Sequence, residues 1–221
     1  MKKVFIITGA NRGLGKAFVD ALIKDADNFI ISISRRRAED QLGYSPNGFH
    51  FIEADLAEEN LGEKLAVLND LIGKQEIFFL NNASIIEPIV TIEELNEEDI
   101  DRTISVNIKA TLLITKYLLR HFKYNTLSFV NISSGAADRP IGNWSLYCAS
   151  KAFVKMFFKV AECEYEQHRF FNIDPGVMDT MMQKSVRDSD FPDVSSFQDL
   201  EKEGKLKAVS DVATAILKTI S

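Results

Sequence analysis

Tyr147 and Lys151 stand four residues apart in a stretch of helical character, so both side chains fall on one side of the helix. A phenol with a pKa of about 10 is a poor acid–base group at neutral pH, and a neighbouring ammonium draws it toward the working range by favouring phenolate. Ser134 precedes Tyr147 by 13 residues and follows the apolar run Leu127–Ile132. A hydroxyl at that strand end can donate to a carbonyl oxygen on which negative charge develops. Ser133, beside it, reads more simply as a strand-end residue. Proton donor, cation and hydroxyl together are suited to work on a carbonyl group.

A second constellation lies at the start of the chain. The run Val4–Thr8 leads into Gly9-Ala10-Asn11-Arg12-Gly13-Leu14-Gly15, and a helical pattern follows. Glycines there permit a tight turn and close backbone approach to a pyrophosphate, while the helix N-terminus offers free N–H groups and a favourable dipole. Their spacing, three residues and then one, departs from the usual dinucleotide fingerprint of one and then two. The next strand ends in Ser34-Arg35-Arg36-Arg37, with no acid before Glu39. An enzyme that selects NAD usually places a carboxylate here for the ribose 2′-hydroxyl, whereas a 2′-phosphate requires cations. Arg35 and Arg36, with Arg12 reaching across from the glycine loop, therefore point to NADP(H).

These groups must be carried by strands and helices in alternation. Apolar, β-branched runs recur at Val4–Thr8, Phe29–Ile33, Phe49–Glu53, Ile77–Leu80, Leu127–Ile132 and Phe170–Ile173. Helical spacing fills Leu14–Ala26, Leu61–Ile72, Asp99–Phe122 and Tyr147–Gln167, then about Asp179–Val186 and Ser210–Ile220. Continuously apolar strands separated by helices imply a parallel sheet with right-handed crossovers and both faces covered. The polar segment Arg187–Gly204, which contains Pro192, reads as an irregular, mobile flap. On the helix after Tyr147, Phe153, Met156, Phe157 and Val160 widen the apolar surface beyond one core-facing stripe, as a helix wedged between the sheet and a neighbouring helix, or a subunit interface, would.

The 221 residues suit one domain with a full core, and 46% hydrophobic against 26% charged residues is a globular balance. A net charge of −6 without a basic run argues against nucleic-acid binding. The apolar start ends at Thr8-Gly9, too soon for a signal core or a membrane span. Cys148 and Cys163 share one predicted helix about 22 Å apart and cannot bridge. A reducing, cytoplasmic setting follows as the expectation. No metal site is expected.

Taken in order, these motifs resemble the short-chain dehydrogenase/reductase family over essentially the whole chain. Thr8-Gly9-x-x-x-Gly13-x-Gly15 is similar to its cofactor loop, and Asn81-Asn82-Ala83-Ser84 to its Asn-Asn-Ala-Gly segment, with Ser84 in place of glycine. Asn131-Ile132-Ser133-Ser134, Tyr147-x-x-x-Lys151 and Pro175-Gly176 complete the series. The resemblance implies adenine contacts at Asp55 and Leu56, and dinucleotide contacts at Asn82, Ala83, Pro175, Gly176, Val177 and Met178. It places Thr180 at the nicotinamide amide and Asn107 as the helix asparagine that holds a relay water. Asn143 to Ala152, Pro175 to Gln183 and Leu200 to Leu206 are more narrowly similar to sepiapterin reductases, while Ser133 to Ala137 and Gly176 to Thr180 resemble bacterial benzil reductases forming (S)-benzoin more closely.

The resulting expectation is a doubly wound α/β domain over residues 1–221 with parallel strand order 3-2-1-4-5-6. The relatives' C-terminal tail and last edge strand are absent from this chain. The family implies pro-S hydride transfer from NADPH to a ketone or aromatic 1,2-diketone. Tyr147 would donate the proton, Ser134 polarise the oxygen, and Lys151 tune the phenol and hold ribose. Trp144 and Met178 would line an apolar substrate pocket, and the protein would form a homodimer or homotetramer. Sepiapterin, a 3-oxoacyl carrier protein, or a non-catalytic sensor role are the competing readings.

Overall fold

A computed structural model describes residues 3–221. Six strands, β1 (Lys3–Thr8), β2 (Asn28–Ser34), β3 (Phe49–Glu53), β4 (Glu76–Asn81), β5 (Leu127–Ile132) and β6 (Arg169–Ile173), form one sheet in the order β3-β2-β1-β4-β5-β6. Every pairing is parallel. Chain direction across the sheet reverses between β1 and β4, which opens a crevice beyond their C-terminal ends.

The strands are apolar throughout because helices cover both faces. In β1, Val4 and Ile6 join Phe79, Ile114 and Phe158 on one side. Phe5 and Ile7 join Phe18, Phe78 and Ile216 on the other. Helix α1 (Gly13–Leu22) and the last helix, Val209–Ile220, pack side by side on that second face.

Two expected helices are interrupted. Leu61–Ile72 becomes α2 (Leu61–Lys64), a tightened turn Leu65–Val67, and α3 (Leu68–Leu71). Leu61, Leu65, Leu68 and Ile72 still reach the core, so the interruption preserves the buried face. The second, expected over Asp99–Phe122, runs as α4 (Glu97–Thr103), a widened π-turn Ile104–Lys109, and α5 (Ala110–His121). Asn107 sits in that widened turn, a feature that often accompanies functional sites. Helix α6 (Ser145–Glu164) carries Tyr147 and Lys151 in its first turns.

The segment 187–204 is not irregular. After α7 (Met181–Asp188) it contains α8 (Val194–Lys202), followed later by α9 (Val209–Ile220). Phe191 and Phe197 pack on Trp144, with Val194 against the same cluster, and that apolar anchorage outweighs the polar composition. Arg187 binds Glu201 and tightens the α7–α8 pair. Beyond β6 the structure adds only a single bridge between Met178 and Lys207.

Candidate active site

One cavity of about 660 Å3 runs along the strand C-termini and is lined by residues from the glycine loop to α8. At one end the chain turns from β1 into α1 with Gly9 and Gly13 at φ of +67° and +54°, a region that favours glycine. A Cβ on Gly15 would lie 2.2 Å from the Gly9 carbonyl oxygen, so glycine is required where the helix meets the loop. Arg12 is the N-cap of α1 and makes no side-chain cap, and the first turn holds no acid. The helix N-terminus therefore faces the cavity with N–H groups uncapped by any side chain, an arrangement that fits a dinucleotide pyrophosphate. Ser84 and Ser133 add to the cavity wall buried hydroxyls that have no partner among the described residues.

Asn11, Arg12, Leu14, Arg35, Arg36, Asp55, Leu56, Asn82 and Ala83 all line this space, as expected from sequence. Arg37 does not; its guanidinium lies over the rings of Phe49 and Phe51. Asn82 has a structural duty as well, since its Nδ2 donates to the Thr8 carbonyl at 2.9 Å and ties β4 to the loop. Asp55 accepts from the Ala57 N–H, and Arg102 approaches its other oxygen at 3.9 Å.

Tyr147, Lys151 and Ser134 all line the cavity. Lys151 Nζ donates to the Ile132 carbonyl at 2.9 Å and lies 5.6 Å from the centre of the Tyr147 ring. Ser134 Oγ accepts from the Ala136 N–H, and its hydroxyl near the Tyr147 phenol favours the ionised form. Burial pushes the phenol up to about 12, against the lowering by Ser134, with Asp174 and Cys148 reinforcing the rise. The expected lowering by Lys151 is not among the influences on the phenol, on which burial dominates. Burial likewise draws Lys151 down to about 8, opposed by the Asp174 carboxylate.

Asn107 is brought close but not into the cavity wall. Its Oδ1 accepts from the Ile85 N–H, and its Nδ2 donates to the Ile85 carbonyl, both at 2.8 Å. Nδ2 also reaches Ser150 Oγ, which donates to the Tyr147 carbonyl. The side chain clamps the loop after β4 to the first turns of α6, next to Tyr147.

The far end is apolar. Trp144 is buried and packs edge-on to Tyr147 at 5.7 Å between ring centres. Pro175, Gly176, Val177, Met178 and Thr180 line the wall, as the sequence suggested. Thr180 caps α7, its hydroxyl accepting from the Gln183 N–H, and its methyl faces Gly13 across the cleft.

The family model described as short chain dehydrogenase matches residues 3–190. The chain belongs to the short-chain dehydrogenase family. It is therefore an oxidoreductase of a family that binds a nicotinamide cofactor. It is similar to a benzil reductase ((S)-benzoin forming) of Bacillus cereus, 32% identical, covering 96% of this chain and 91% of that protein. Bovine sepiapterin reductase is 30% identical over 91% of this chain and 83% of its own length. Among solved structures, the KRED1-Pglu enzyme matches at a TM-score of 0.89 and 26% identity, covering 99% of this chain and 95% of that one. ElxO with NADP bound matches at 0.81 and 26%, covering 100% and 92%.

Several wall residues of this short-chain dehydrogenase were not singled out from sequence. Asp174 follows β6, and its Oδ1 accepts from the Gly176 N–H. Arg139, Arg102, Gln183, Val186 and Phe197 also line the cavity. A row of asparagines, Asn81, Asn131 and Asn172, hydrogen bonds across β4, β5 and β6 beneath the site. Asn81 and Asn131 stood in the sequence motifs, whereas Asn172 joins them only through the strand register.

Proposed function

We propose that the protein is an NADPH-dependent ketone reductase acting on aromatic 1,2-diketones, with benzil to (S)-benzoin as the type reaction. The observation that carries this reading is one continuous cavity lined by Arg12, Arg35 and Arg36, by Tyr147 and Ser134, and by the apolar Trp144, Val186 and Phe197. The full-length likeness to benzil reductases supports it.

Arg12, Arg35 and Arg36 would hold the 2′-phosphate, and the α1 N-terminus the pyrophosphate. Asp55 and Leu56 would receive adenine, and Lys151 the ribose. A reduced nicotinamide, when bound, supplies hydride to the carbonyl carbon. The Tyr147 hydroxyl gives its proton to the carbonyl oxygen, so ketone becomes alcohol. Ser134 donates a hydrogen bond to the same oxygen as charge develops there. Asn107 keeps Tyr147 in place through Ser150. Trp144 and Met178 would contact the substrate's aryl groups.

Assembly is proposed through α6, where Phe153, Met156 and Val160 are exposed and apolar; a second copy of this surface would give a homodimer, or a homotetramer with a further contact. Both cysteines are free, in keeping with a reducing cytoplasm. Among the described residues no helix is long and apolar enough to cross a membrane.

The deciding experiment follows NADPH and NADH oxidation side by side with benzil, sepiapterin and an acetoacetyl thioester. Preference for NADPH and benzil is expected. A clear preference for the thioester would move the protein to acyl-chain reduction, and dominant sepiapterin turnover to pterin reduction.

A further inference from the structure

Gln41 is a fully buried primary amide in a tightened helical turn, Glu39–Gly43, which follows the three arginines after β2. Its Nε2 donates to the Ala10 carbonyl at 2.8 Å, and its Oε1 accepts from the Ala38 N–H at 3.3 Å. Ala10 belongs to the glycine loop, two residues before Arg12, and Ala38 follows Arg35-Arg36-Arg37 directly. One side chain thus joins the two segments that supply Arg12, Arg35 and Arg36 to the cavity. A second tie runs from the same turn to the same loop and helix, since Lys16 of α1 pairs with Asp40 at 2.5 Å.

The arginine turn is also held from its other side. Ser34 Oγ donates to the Arg36 carbonyl at 3.1 Å, and Arg37 lies over the Phe51 ring. Arg12, Arg35 and Arg36 enter no ion pair among the described residues, so their charges stay free for an anion in the cavity.

A buried amide must be paired, and once paired it adds little net stability over an apolar side chain of the same shape. What its two hydrogen bonds add is direction. They fix the separation of the arginine turn from the glycine loop, and a phosphate gripped from both segments is sensitive to that separation. The loop has ties of its own, because the Gly9 N–H donates to the Ile33 carbonyl at 2.9 Å and Asn82 donates to Thr8. Loss of the Gln41 amide therefore releases the arginine turn rather than the loop.

We propose that Gln41 is a positioning residue for cofactor selection: by tying Ala38 to Ala10 it holds Arg35 and Arg36 at the distance from Arg12 that a ribose 2′-phosphate spans. This rests on the reading of the protein as NADPH-dependent and assigns part of the selectivity to a side chain outside the cavity wall.

The test is equilibrium titration of NADPH and NADH, read by nucleotide fluorescence, on the unaltered protein, Gln41→Met and Gln41→Leu. Methionine keeps nearly the same length, leucine is shorter, and neither can make the two hydrogen bonds. The affinity ratio of NADPH over NADH should fall by at least roughly threefold in both variants, since misplaced donors weaken charge-assisted bonds, and the loss should lie in NADPH. A folding defect weakens both nucleotides alike and leaves their ratio unmoved, so the ratio separates positioning from general stability. A smaller fall in either variant, including an equal loss of both nucleotides, would overturn the role of Gln41 while leaving the NADPH reading intact. An unaltered protein that binds the two nucleotides equally well would overturn the NADPH reading itself, and this inference with it.

Discussion

Replacing Lys151 by methionine removes an ammonium buried between α6 and the end of β5. Burial lowers its pKa from 10.5 to about 8. At about 1.4 kcal/mol per decade, holding the charge at pH 7 costs the folded protein roughly 3 kcal/mol. The substitution also removes the hydrogen bond to the Ile132 carbonyl, a loss of roughly 1 kcal/mol. The ligand-free variant should thus be more stable at pH 7 by about 2 kcal/mol, or about 4–8 °C in melting temperature for a chain of this size. The sign with pH follows from proton counts. Between about pH 8 and 10.5 the unfolded lysine holds a proton that the folded one has released, so wild-type stability gains with pH in that window. The advantage of Lys151→Met is therefore full below pH 8 and gone by about pH 10.5. Calorimetric melts of both proteins without cofactor, at half-unit pH steps, measure this difference. A difference independent of pH, or one that grows as pH rises, would refute burial as the dominant influence on Lys151.

Gly15→Ala should lose nucleotide binding by at least tenfold in equilibrium titration, because its Cβ would press on the Gly9 carbonyl at 2.2 Å and displace the loop; unchanged affinity would remove the loop from the phosphate site. Arg35→Asp should shrink or reverse an NADPH preference of at least tenfold in kcat/KM, about 1.4 kcal/mol, while Arg37→Asp should chiefly lower stability, since Arg37 rests on Phe49 and Phe51. Val160→Glu with Met156→Lys should convert an oligomer to a monomer in light scattering, and an unchanged mass would free the α6 surface from that role.

The strands were legible because a doubly covered parallel sheet needs continuous apolar runs, and β3 and β5 fall on their expected residues. Tyr147, Lys151 and Ser134 were legible because their chemistry depends on residue type and local spacing. What escaped the sequence depends on burial and long-range contact. Segment 187–204 seemed irregular from its serines, aspartates and Pro192, yet Phe191 and Phe197 anchor it to Trp144, about fifty residues earlier in the chain. Arg35, Arg36 and Arg37 look alike in sequence, and only the rings of β3 separate the third from the others. Asn107 was found by its position, but its pairing with the Ile85 backbone came from the packing of the β4 loop. The high phenol pKa of Tyr147 had no local signal, since exclusion of water is a property of the assembled site.

The most direct test of the account is Tyr147→Phe, assayed for benzil-dependent NADPH oxidation and, separately, for NADPH binding by fluorescence. The phenol is proposed as the proton donor, and phenylalanine removes that hydroxyl while keeping the ring. Turnover should fall by roughly 10^2–10^4-fold, the usual worth of a positioned general acid, while the dissociation constant changes less than threefold. Turnover within tenfold of wild type would contradict the assignment of Tyr147 and with it the proposed reduction mechanism.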